Sequence, residues 1–597
     1  MTLRMLLTAA ALAASILPAR PAPPERTMFP PVRGVREMVG AANNFEVEAG
    51  FRMLAAGGNA VDAGVAAVLA AAVTEQSRFG LGGEMPLLIK MKGKKVVLIS
   101  GVGTAPSGAT AERYRNRARE PWEEDEEEIP PIPSIGIRAA VVPGVFDGLI
   151  LALEKFGTKS FAEVAAPAIE YAEGFPLPEE FARFLERDRE ILELWPASRK
   201  FYYPRGRPPE AGEVVRYKRL ARTLKELARA ERRARGSRAQ KLRAVRNYFY
   251  EGKIARRIAR FSEENGGLIT YEDLAGFRAS LEKPVSTTYR GYTIYKPGFW
   301  SQGPVLLQAL NILEGLDLQE MGHNSARYLH TLVEALKLAM ADRDRYYGDP
   351  KFAEIPAKRL LSKEYAAERR RLIDPETASM EHRPGPLGPP LDLSARRGGP
   401  VPRRWVSDTT CVNVADRRGN VFSATPSGAW LPSVIAGDTG IPLSTRLQSF
   451  VLTPGHPNLL EPGKRPRITL SPTLVTRGGK PVLIMSTPGG DNQDQATLQV
   501  LLNIIEFGMT PQQAVEAARV QSYHLYSSFG AHEFAPGKLA VEERIPPEAV
   551  AGLEELGHQV VVRGPWSNSA SPTVILIRDG ALHGGADPRR ARFIFGR

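Results

Sequence analysis

The spacing of apolar residues divides the chain into a mainly helical first part and a strand-rich last part. Apolar residues recur at helical intervals over 43–56, over 60–73 and over most of 145–345. The clearest helix is predicted over 326–346, where the apolar residues form a single stripe. Two strands are predicted between residues 86 and 100.

Beyond about residue 405 the pattern changes to short alternating runs, which are typical of strands. Pairs of such runs flank Gly-containing turns and predict three hairpins: Thr410–Asp416 with Asn420–Thr425, Thr473–Arg477 with Pro481–Ser486, and Val574–Arg578 with Ala581–Gly584. An apolar helix is predicted between the last two hairpins, over 495–507. Helices followed by hairpins predict one mixed α/β body in which helices pack against stacked sheets.

Composition marks three segments as lying outside this body. Arg4, an apolar run over 5–17 and small residues afterwards are typical of a secretory signal peptide, which we predict over 1–22. The run is too short to span a bilayer comfortably, and an uncleaved anchor is the alternative. Residues 23–36 predict a linker, and the Pro-, Gly- and Arg-rich segment 383–404 predicts a flexible tether. We expect a periplasmic or secreted protein with no membrane span after signal removal.

The bulk composition argues against several classes of function. Of the 597 residues, 43% are hydrophobic and 24% are charged, as in an ordinary globular protein. The formal net charge is +13, but its densest part, 219–260, is interrupted by apolar residues at helical spacing, so we expect solvated helix faces and no nucleic-acid partner. Cys411 is the single cysteine, which favours a buried inert thiol and leaves no Cys/His cluster, so we expect no metal and no cofactor.

The candidate chemistry lies where the tether meets the first hairpin. There Asp408 is followed by two hydroxyl residues, Thr409 and Thr410, at the start of an alternating run. If the backbone is cut before Thr409, its hydroxyl becomes a nucleophile beside a free α-amine of pKa about 8, which can take the proton at neutral pH. A side-chain triad is then unnecessary. Taken alone, however, a threonine pair in a strand is more often a simple β-former.

A set of short motifs extends over most of the chain, roughly 38–595, in a fixed order. Its members are Gly57-Gly58-Asn59-Ala60-Val61-Asp62-Ala63, Leu81-Gly82-Gly83, Val142-Pro143-Gly144, Ala341-Asp342-Arg343-Asp344-Arg345-Tyr346, Gly348-Asp349-Pro350, Asp408-Thr409-Thr410, Asp416 with Gly419-Asn420, Lys464-Arg465-Pro466, Ser471-Pro472-Thr473, Pro488-Gly489-Gly490 and Ala586-Asp587-Pro588-Arg589. The ordered set resembles the γ-glutamyltransferase family, also called glutathione hydrolases, within the N-terminal-nucleophile hydrolases. The resemblance implies an α/β (α+β) protein with a four-layer αββα sandwich.

The resemblance also implies a proenzyme that cuts itself between Asp408 and Thr409. The products would be a large subunit, 37–408, and a small subunit, 409–597, held together as a heterodimer. Thr409 matches the family's nucleophile and would form an acyl-enzyme that is released to water or to an acceptor amine. The implied function is therefore that of an amide hydrolase or acyltransferase resembling γ-glutamyltransferase, acting on a small-molecule amide or peptide.

Other site residues follow from the same resemblance. Ser427 matches a second hydroxyl beside the nucleophile. Gly489 and Gly490 match the pair whose backbone N–H groups form the oxyanion hole, and glycines let the backbone approach a tetrahedral oxyanion closely. Further substrate contacts are predicted for Thr425, Arg446, Thr469 and Asp491.

The residues with which the family grips a γ-glutamyl group are replaced in this chain. The replacements are Val102 for an arginine, Ala429 or Trp430 for an asparagine, Arg446 for a polar residue, Ser449 for an acidic residue, and Ile468-Thr469 for two serines. A bidentate arginine–carboxylate pair cannot be copied by valine, so we expect glutathione to be a poor substrate. The loop over 450–464 is short, which predicts that the lid of some family members is missing.

Several alternatives stay open. Arg446 and Arg467 either hold an anionic acyl group or are plain surface arginines, while Trp300 and Trp430 either line an acyl pocket or pack in the core. Asp491 either contacts substrate or caps the following helix. For the whole chain, the alternatives are an acylase or amidase for a non-glutamyl acyl group, and a non-catalytic periplasmic binding protein that would not be cleaved.

Overall fold

Two seven-stranded antiparallel sheets form the centre of the molecule. The computed structural model describes residues 26–124, 126, 129–389, 391, 393 and 409–597. In spatial order, the first sheet consists of Val32–Gly34, Ala581–Ala586, Thr573–Arg578, Lys480–Ser486, Thr473–Arg477, Tyr292–Lys296 and Val285–Tyr289. The second sheet consists of Phe593–Gly596, Met38–Ala41, Val412–Ala415, Val421–Ala424, Met85–Lys90, Val96–Gly101 and Ser280–Glu282.

Helices cover the outer face of each sheet. The helices associated with the second sheet are Asn44–Ala55, Ala60–Thr74, Val145–Phe156, Phe161–Glu173, Glu179–Arg187, Arg189–Glu193, Pro196–Tyr202, Lys218–Arg233, Arg238–Tyr250, Lys253–Glu264 and Tyr271–Gly276. Those associated with the first sheet are Pro304–Leu313, Leu318–Met321, Ala326–Tyr346, Ala357–Leu360, Lys363–Arg370, Gln493–Ile505, Pro511–Glu516 and Pro547–Glu555. A three-stranded sheet consists of Val520–Ser522, Lys538–Glu542 and Gln559–Arg563, and a two-stranded sheet consists of Phe175–Pro176 and Val214–Val215. The remaining short elements are the helix Ala111–Arg115 and the 3₁₀ turns Pro121–Glu123, Ile137–Ala139, Arg446–Ser449 and Gly490–Asn492.

Three apolar cores fill the spaces between these layers. One joins the second sheet, through Phe422, to its helices, and another joins the first sheet, through Val475, to its own helices. The third lies between the sheets and includes Leu88, Trp300 and Leu474. The predicted four-layer αββα sandwich is confirmed. Because both faces of each sheet are covered, the central strands read as continuous apolar runs as well as alternating ones.

The region 145–345 contains a feature that the helical interpretation missed. Ser280–Glu282, Val285–Tyr289 and Tyr292–Lys296 are strands, and the last two form a hairpin around Arg290 and Gly291. Tyr, Thr and Val fit a pleated surface well, and Arg290 has a φ of 48° in a tight turn completed by Gly291. The local sequence therefore favours a hairpin within an otherwise helical region.

The ends of the predicted linker and tether need correction. Within 23–36, Val32–Gly34 is an edge strand that pairs with Leu582–Gly584, so the linker ends before Val32. At the start of 383–404, Arg383 forms an ion pair with Glu334 of the long helix at 2.9 Å, and the N–H of Leu387 donates to Tyr346 Oη of the same helix at 2.9 Å. The tether therefore begins after Leu387. The predicted signal peptide 1–22 and the rest of the tether, 394–404, lie outside the described residues. No helix in the described part of the chain is both long and apolar enough to cross a membrane.

A polar contact joins the two sheets at the first hairpin of the last part. Asn413 Nδ2 donates to Ser486 Oγ at 2.9 Å and to Thr573 Oγ1 at 2.8 Å on the other sheet. At the hairpin turn, the Asp416 carboxylate accepts a hydrogen bond from the backbone N–H of Ala60 at 2.9 Å, at the start of a helix. These contacts give Asn413 and Asp416 structural roles. Cys411 is buried, and burial raises the pKa of its thiol, as expected for an inert cysteine.

Two buried histidines predict a loss of stability in mild acid. Burial lowers the pKa of His558 to about 3 and that of His524 to about 4. Below pH of about 6.5 the unfolded chain takes up protons on these rings while the folded chain does not, so stability present above that pH is lost as the pH falls toward 4. We expect His558→Gln to reduce the loss of unfolding free energy between pH 7.5 and 5 by about 2 kcal/mol. Urea melts at both pH values test this, and equal losses in wild type and variant would contradict it.

His330 lies next to His558. Its Nδ1 is 2.9 Å from His558 Nε2 and its Nε2 is 2.7 Å from the carbonyl oxygen of Asp374. Glu334 brings a third potential ligand oxygen within 4.8 Å of both rings. That carboxylate is already paired with Lys337 at 2.6 Å and with Arg383. Because two cations occupy the carboxylate, the arrangement fits a packed polar cluster better than a metal site.

Candidate active site

Thr409 lies at the entrance to a central strand of the second sheet. The residue is 2% exposed and forms an isolated antiparallel bridge with Ser427. The Thr410 N–H donates to the carbonyl oxygen of Pro426 at 3.0 Å, which fixes the backbone next to it. The Thr409 hydroxyl donates to Ser427 Oγ at 3.1 Å. The structure therefore brings the predicted nucleophile and the predicted second hydroxyl into direct contact, while Asp408 lies outside the described residues.

Ser427 is held in turn by Glu84 and Arg446. The backbone groups of Ser427 and Glu84 exchange hydrogen bonds of 3.0 and 2.9 Å. Arg446 Nη2 donates to Ser427 Oγ at 3.2 Å, and its Nε pairs with Glu84 Oε1 at 2.5 Å. Gly428 permits this close approach, because it has a φ of 102° and a Cβ there would lie 2.4 Å from the Glu84 carboxylate. A buried ion pair thus lies next to the contact between the predicted nucleophile and Ser427.

The guanidinium of Arg446 is enclosed by aromatic rings. Its central carbon lies 4.6 Å from the Trp430 ring centroid and 5.5 Å from that of Phe529. The side chain is 1% exposed, and Nη1 has no hydrogen-bond partner in the described part of the chain. Arg467 is equally buried, so the alternative that these two are surface arginines is wrong. Trp430 faces the site, whereas Trp300 lies between the sheets with its indole N–H donating to Glu282 at 2.9 Å.

Gly489 and Gly490 form a sharp turn beside Phe529. Their φ angles are 124° and 56°, both in the left-handed region that glycine tolerates. A Cβ on Gly490 would lie 3.1 Å from the Phe529 ring, and the same ring contacts Arg446. The Gly490 carbonyl accepts a hydrogen bond from Gln302 Nε2 at 3.2 Å, which orients the peptide. Phe529 and Arg446 therefore connect the glycine turn to the Ser427–Thr409 contact.

Asp491 is fixed in an ion pair next to the glycine turn. Its carboxylate lies 2.5 Å from Arg343 Nη1 and accepts the Ser528 N–H at 2.8 Å. The following helix begins at Gln493 with Asn492 as its N-cap residue, and no side chain caps it. The alternative that Asp491 caps this helix is therefore wrong. Its predicted contact with substrate stays a prediction.

A second buried ion pair lies at the start of the helix that follows the Gly489–Gly490 turn. Lys296 Nζ and Asp494 Oδ1 are 2.8 Å apart, and both side chains are completely buried. Lys296 also donates to the Ser471 carbonyl and to Thr473 Oγ1 at 2.9 Å, while Ser471 Oγ donates to Asp494 at 2.9 Å. Burial lowers the pKa of Lys296 and raises that of Asp494. This network joins the first sheet to the helix that follows Gly489 and Gly490.

The remaining predicted contact residues are buried. Thr425 Oγ1 and Thr469 Oγ1 have no hydrogen-bond partner within the described residues, and the same holds for Ser449 Oγ. Val102, which stands where the resemblance places an arginine, is 1% exposed and belongs to the core between the sheets. An apolar core residue therefore occupies the expected carboxylate-binding position.

An open cleft of about 620 Å³ begins at the glycine turn. Gly489, Gly490 and Phe529 line one end, and the strands Val520–Ser522 and Lys538–Glu542 line the other. The cleft is wide enough for a small amide or a peptide end. It gives the glycine turn access to solvent, whereas Thr409 and Arg446 are buried.

Sequence reasoning missed three residues of the site: Glu84, Arg343 and Phe529. Glu84 directly follows the Leu81-Gly82-Gly83 motif and Arg343 lies inside the motif 341–346, so a family motif marked the position of each residue. Phe529 is in an irregular segment without any pattern. Only the fold brings these residues together.

Comparison with known proteins identifies the family. The sequence model described as gamma-glutamyltranspeptidase matches residues 47–596. The chain belongs to the γ-glutamyltranspeptidase family. A family relative, the glutathione hydrolase-like YwrD proenzyme of Bacillus subtilis (strain 168), is 34% identical over 565 residues, which cover 94% of this chain and 98% of the relative.

Solved structures agree with this assignment to the γ-glutamyltranspeptidase family. LmbA2991HD has a TM-score of 0.87 at 36% identity and covers 96% of this chain and 100% of its own. The cephalosporin acylase from Bacillus halodurans has a TM-score of 0.81 at 29% identity and covers 98% and 99%. The chain is thus an enzyme with the N-terminal-nucleophile hydrolase fold and proenzyme relatives, which sets aside the non-catalytic alternative.

Proposed function

We propose that Thr409 is the nucleophile of a self-processing amide hydrolase or acyltransferase. The observation that supports this most directly is the hydroxyl–hydroxyl contact of 3.1 Å between Thr409 and Ser427, just before the central strand Val412–Ala415. Cleavage of the Asp408–Thr409 bond frees the Thr409 amine. The large subunit, 37–408, and the small subunit, 409–597, then remain together without a disulfide, because the chain has one cysteine.

In the proposed reaction, the Thr409 amine accepts the proton of its own hydroxyl as Oγ attacks the amide carbonyl. The backbone N–H groups of Gly489 and Gly490 stabilise the oxyanion of the tetrahedral intermediate. The intermediate collapses with transfer of the proton to the leaving amine, which gives an acyl-enzyme. Water or an acceptor amine then attacks the ester and restores Thr409.

The substrate question has two candidate answers. Family membership favours γ-glutamyl amides, and the name of one structural relative, a cephalosporin acylase, points to other amides. Burial of Val102 in the core favours the second, because no arginine stands there to grip an α-carboxylate. We propose that glutathione is a poor substrate. Rates on γ-glutamyl-anilide and on a panel of other anilides test this, and a clear preference for the γ-glutamyl compound would contradict it.

The location of the enzyme is a further proposal. The signal-like segment 1–22 supports export to the periplasm or the medium. Fractionation of cells that express the full chain tests this. Mature protein found only in the cytoplasm would contradict it.

Gly489→Ala is expected to lower kcat by about 100- to 1,000-fold, the typical effect of losing one oxyanion donor. A Cβ at Gly489 would lie 3.1 Å from Ala570, and alanine does not adopt a φ of 124°, so the peptide must move. Gly479→Ala is the matched control, since Gly479 also has a positive φ of 75° but has nothing within 4 Å of its Cβ position. Equal kcat values for the two variants would contradict the role of Gly489.

A further inference from the structure

A cavity of about 360 Å³ lies in the helical layer that covers the second sheet. Its walls come from the end of the helix Pro196–Tyr202, the segment 204–216 and the start of the helix Lys218–Arg233. It is separate from the cleft at the Gly489–Gly490 turn, because different residues line the two. The volume is near the lower end for small-molecule sites, so the cavity fits one ring system with its substituents.

The floor of this cavity is aromatic and apolar. The rings of Phe201 and Tyr217 stack with their centroids 4.6 Å apart, and Tyr202 meets Phe201 edge-on at 5.0 Å. All three rings are buried and belong to the core that joins these helices to the second sheet. Val214 and Val215 add aliphatic surface beside them. The floor is therefore held in place by the core and offers apolar surface to a ring.

Basic side chains form the rim of the cavity. The six that line it are Lys200, Arg205, Arg207, Arg216, Lys218 and Arg219. The lining also contains one carboxylate, Glu213, which is already paired with Arg205 at 2.6 Å and with Arg207 at 3.0 Å. The other four bases form no ion pair in the described part of the chain. Because like charges repel, this excess of positive charge favours a ligand with more than one negative charge.

The start of the helix Lys218–Arg233 adds to the positive potential. No side chain within the described residues caps this helix, and its first turn holds no acidic residue. Lys218 and Arg219 occupy its first two positions, where cations are unfavourable because the N-terminal N–H groups already carry partial positive charge. An anion in the cavity would offset this repulsion.

The rim differs from the rest of the basic stretch 219–260. There, acidic residues neutralise several bases, as in the pairs of Arg222 with Asp438 at 3.0 Å and of Arg243 with Glu154 at 2.7 Å. Those pairs fit the expected solvated helix faces. In the cavity, by contrast, four unpaired bases surround a concave apolar floor, which is the arrangement of a binding site.

We propose that this cavity binds a small ring-bearing anion, namely an aromatic or heterocyclic molecule with two or more carboxylate, sulfonate or phosphate groups. The ring covers the apolar floor, and the charged groups pair with Lys200, Lys218 and the neighbouring arginines. This binding does not depend on the proposed chemistry of Thr409. The uncut Thr409→Ala variant should therefore bind the same ligand as the wild type.

Three probes separate the contributions of ring and charge in calorimetric titrations of the wild-type protein. Naphthalene-1,5-disulfonate has a ring and a charge at each end, 2-naphthol has the ring without charge, and pyrophosphate has charge without a ring. We expect the disulfonate to bind at least about tenfold more tightly than either other probe, because only the disulfonate uses the floor and the rim together. Equal affinity for pyrophosphate or 2-naphthol, or no binding of the disulfonate, would overturn the proposal.

A pair of lysine substitutions assigns the binding to this cavity. In Lys200→Gln/Lys218→Gln, the affinity for the disulfonate is expected to fall by about 3- to 20-fold, since each exposed charge contact contributes modestly. Lys253→Gln/Lys283→Gln is the matched control, because these lysines are also exposed but lie outside the cavity. Equal affinities of the two double variants would refute binding at this cavity. Both should fold and hydrolyse amides like the wild type.

Val214→Glu tests the same site by repulsion. Val214 lines the cavity and is 46% exposed, so a polar side chain is tolerated there. The added carboxylate should lower the affinity for the disulfonate by about tenfold or more and leave the melting temperature of the free protein unchanged. Wild-type affinity in this variant would place the bound probe elsewhere and refute the site.

Discussion

Thr409→Ala is expected to remain a single uncut chain on a denaturing gel and to hydrolyse no amide, whereas the wild type gives two bands. The variant lacks the hydroxyl that attacks the preceding carbonyl during self-cleavage and the substrate carbonyl during turnover. Its fold should be retained, because the hydrogen bond of 3.1 Å from the Thr409 hydroxyl to Ser427 is worth only about 1 kcal/mol. Edman sequencing of the smaller wild-type fragment should return Thr-Thr-Cys-Val.

Thr409→Ser is the matched control for this experiment. Serine keeps both the hydroxyl and the α-amine, so cleavage and some activity should persist. A wild-type protein that stays uncut under all conditions, or an alanine variant that is cut at the same bond, would refute the proposed nucleophile.

Lys296→Met is expected to lower the free energy of unfolding by about 3–5 kcal/mol. The substitution leaves the Asp494 carboxylate charged and unpaired, although it is completely buried beneath the glycine turn. Because burial already raises the pKa of Asp494, part of the cost takes the form of proton uptake, and the defect should shrink as the pH falls. Urea unfolding at pH 7.5 and pH 5 measures both effects.

Two variants serve as references for this measurement. Lys225→Met removes an exposed partner of Glu173 and should cost less than about 1 kcal/mol. Lys296→Met/Asp494→Leu removes both buried charges and should recover much of the stability. If Lys296→Met is no more destabilised than Lys225→Met, the buried pair does not support the turn.

The elements with strong local signals were predictable. The helix Ala326–Tyr346 and the strand Thr473–Arg477 have the predicted bounds, because a long apolar stripe and a Gly-Gly turn are local features. The helix predicted over 495–507 begins two residues earlier, at Gln493, where the polar residues after Gly490 belong to its first turn. The strands within 280–296 were missed because they interrupt a long helical region.

The site was predictable only where a motif marked it. Thr409, Ser427 and the glycine pair each stood in a recognisable position, and their roles in catalysis stay predictions until tested. The ion pair of Glu84 with Arg446 joins residues 362 positions apart, and local sequence patterns cannot predict a contact between residues so far apart. The burial of Arg446 could not be foreseen either, because arginines are seldom buried unless they are paired.

The order of strands in the second sheet has a consequence for how the two proposed subunits separate and refold. Met38–Ala41, which precedes the proposed cleavage bond, lies between Val412–Ala415 and Phe593–Gly596, which follow it. The two pieces are interleaved and cannot part by simple dissociation. If the chain is cut as proposed, an uncut variant should refold as one molecule, whereas the two denatured subunits must find each other, so recovery of the cleaved enzyme should slow as the solution is diluted. The proposed self-cleavage would thereby make folding depend on the protein concentration.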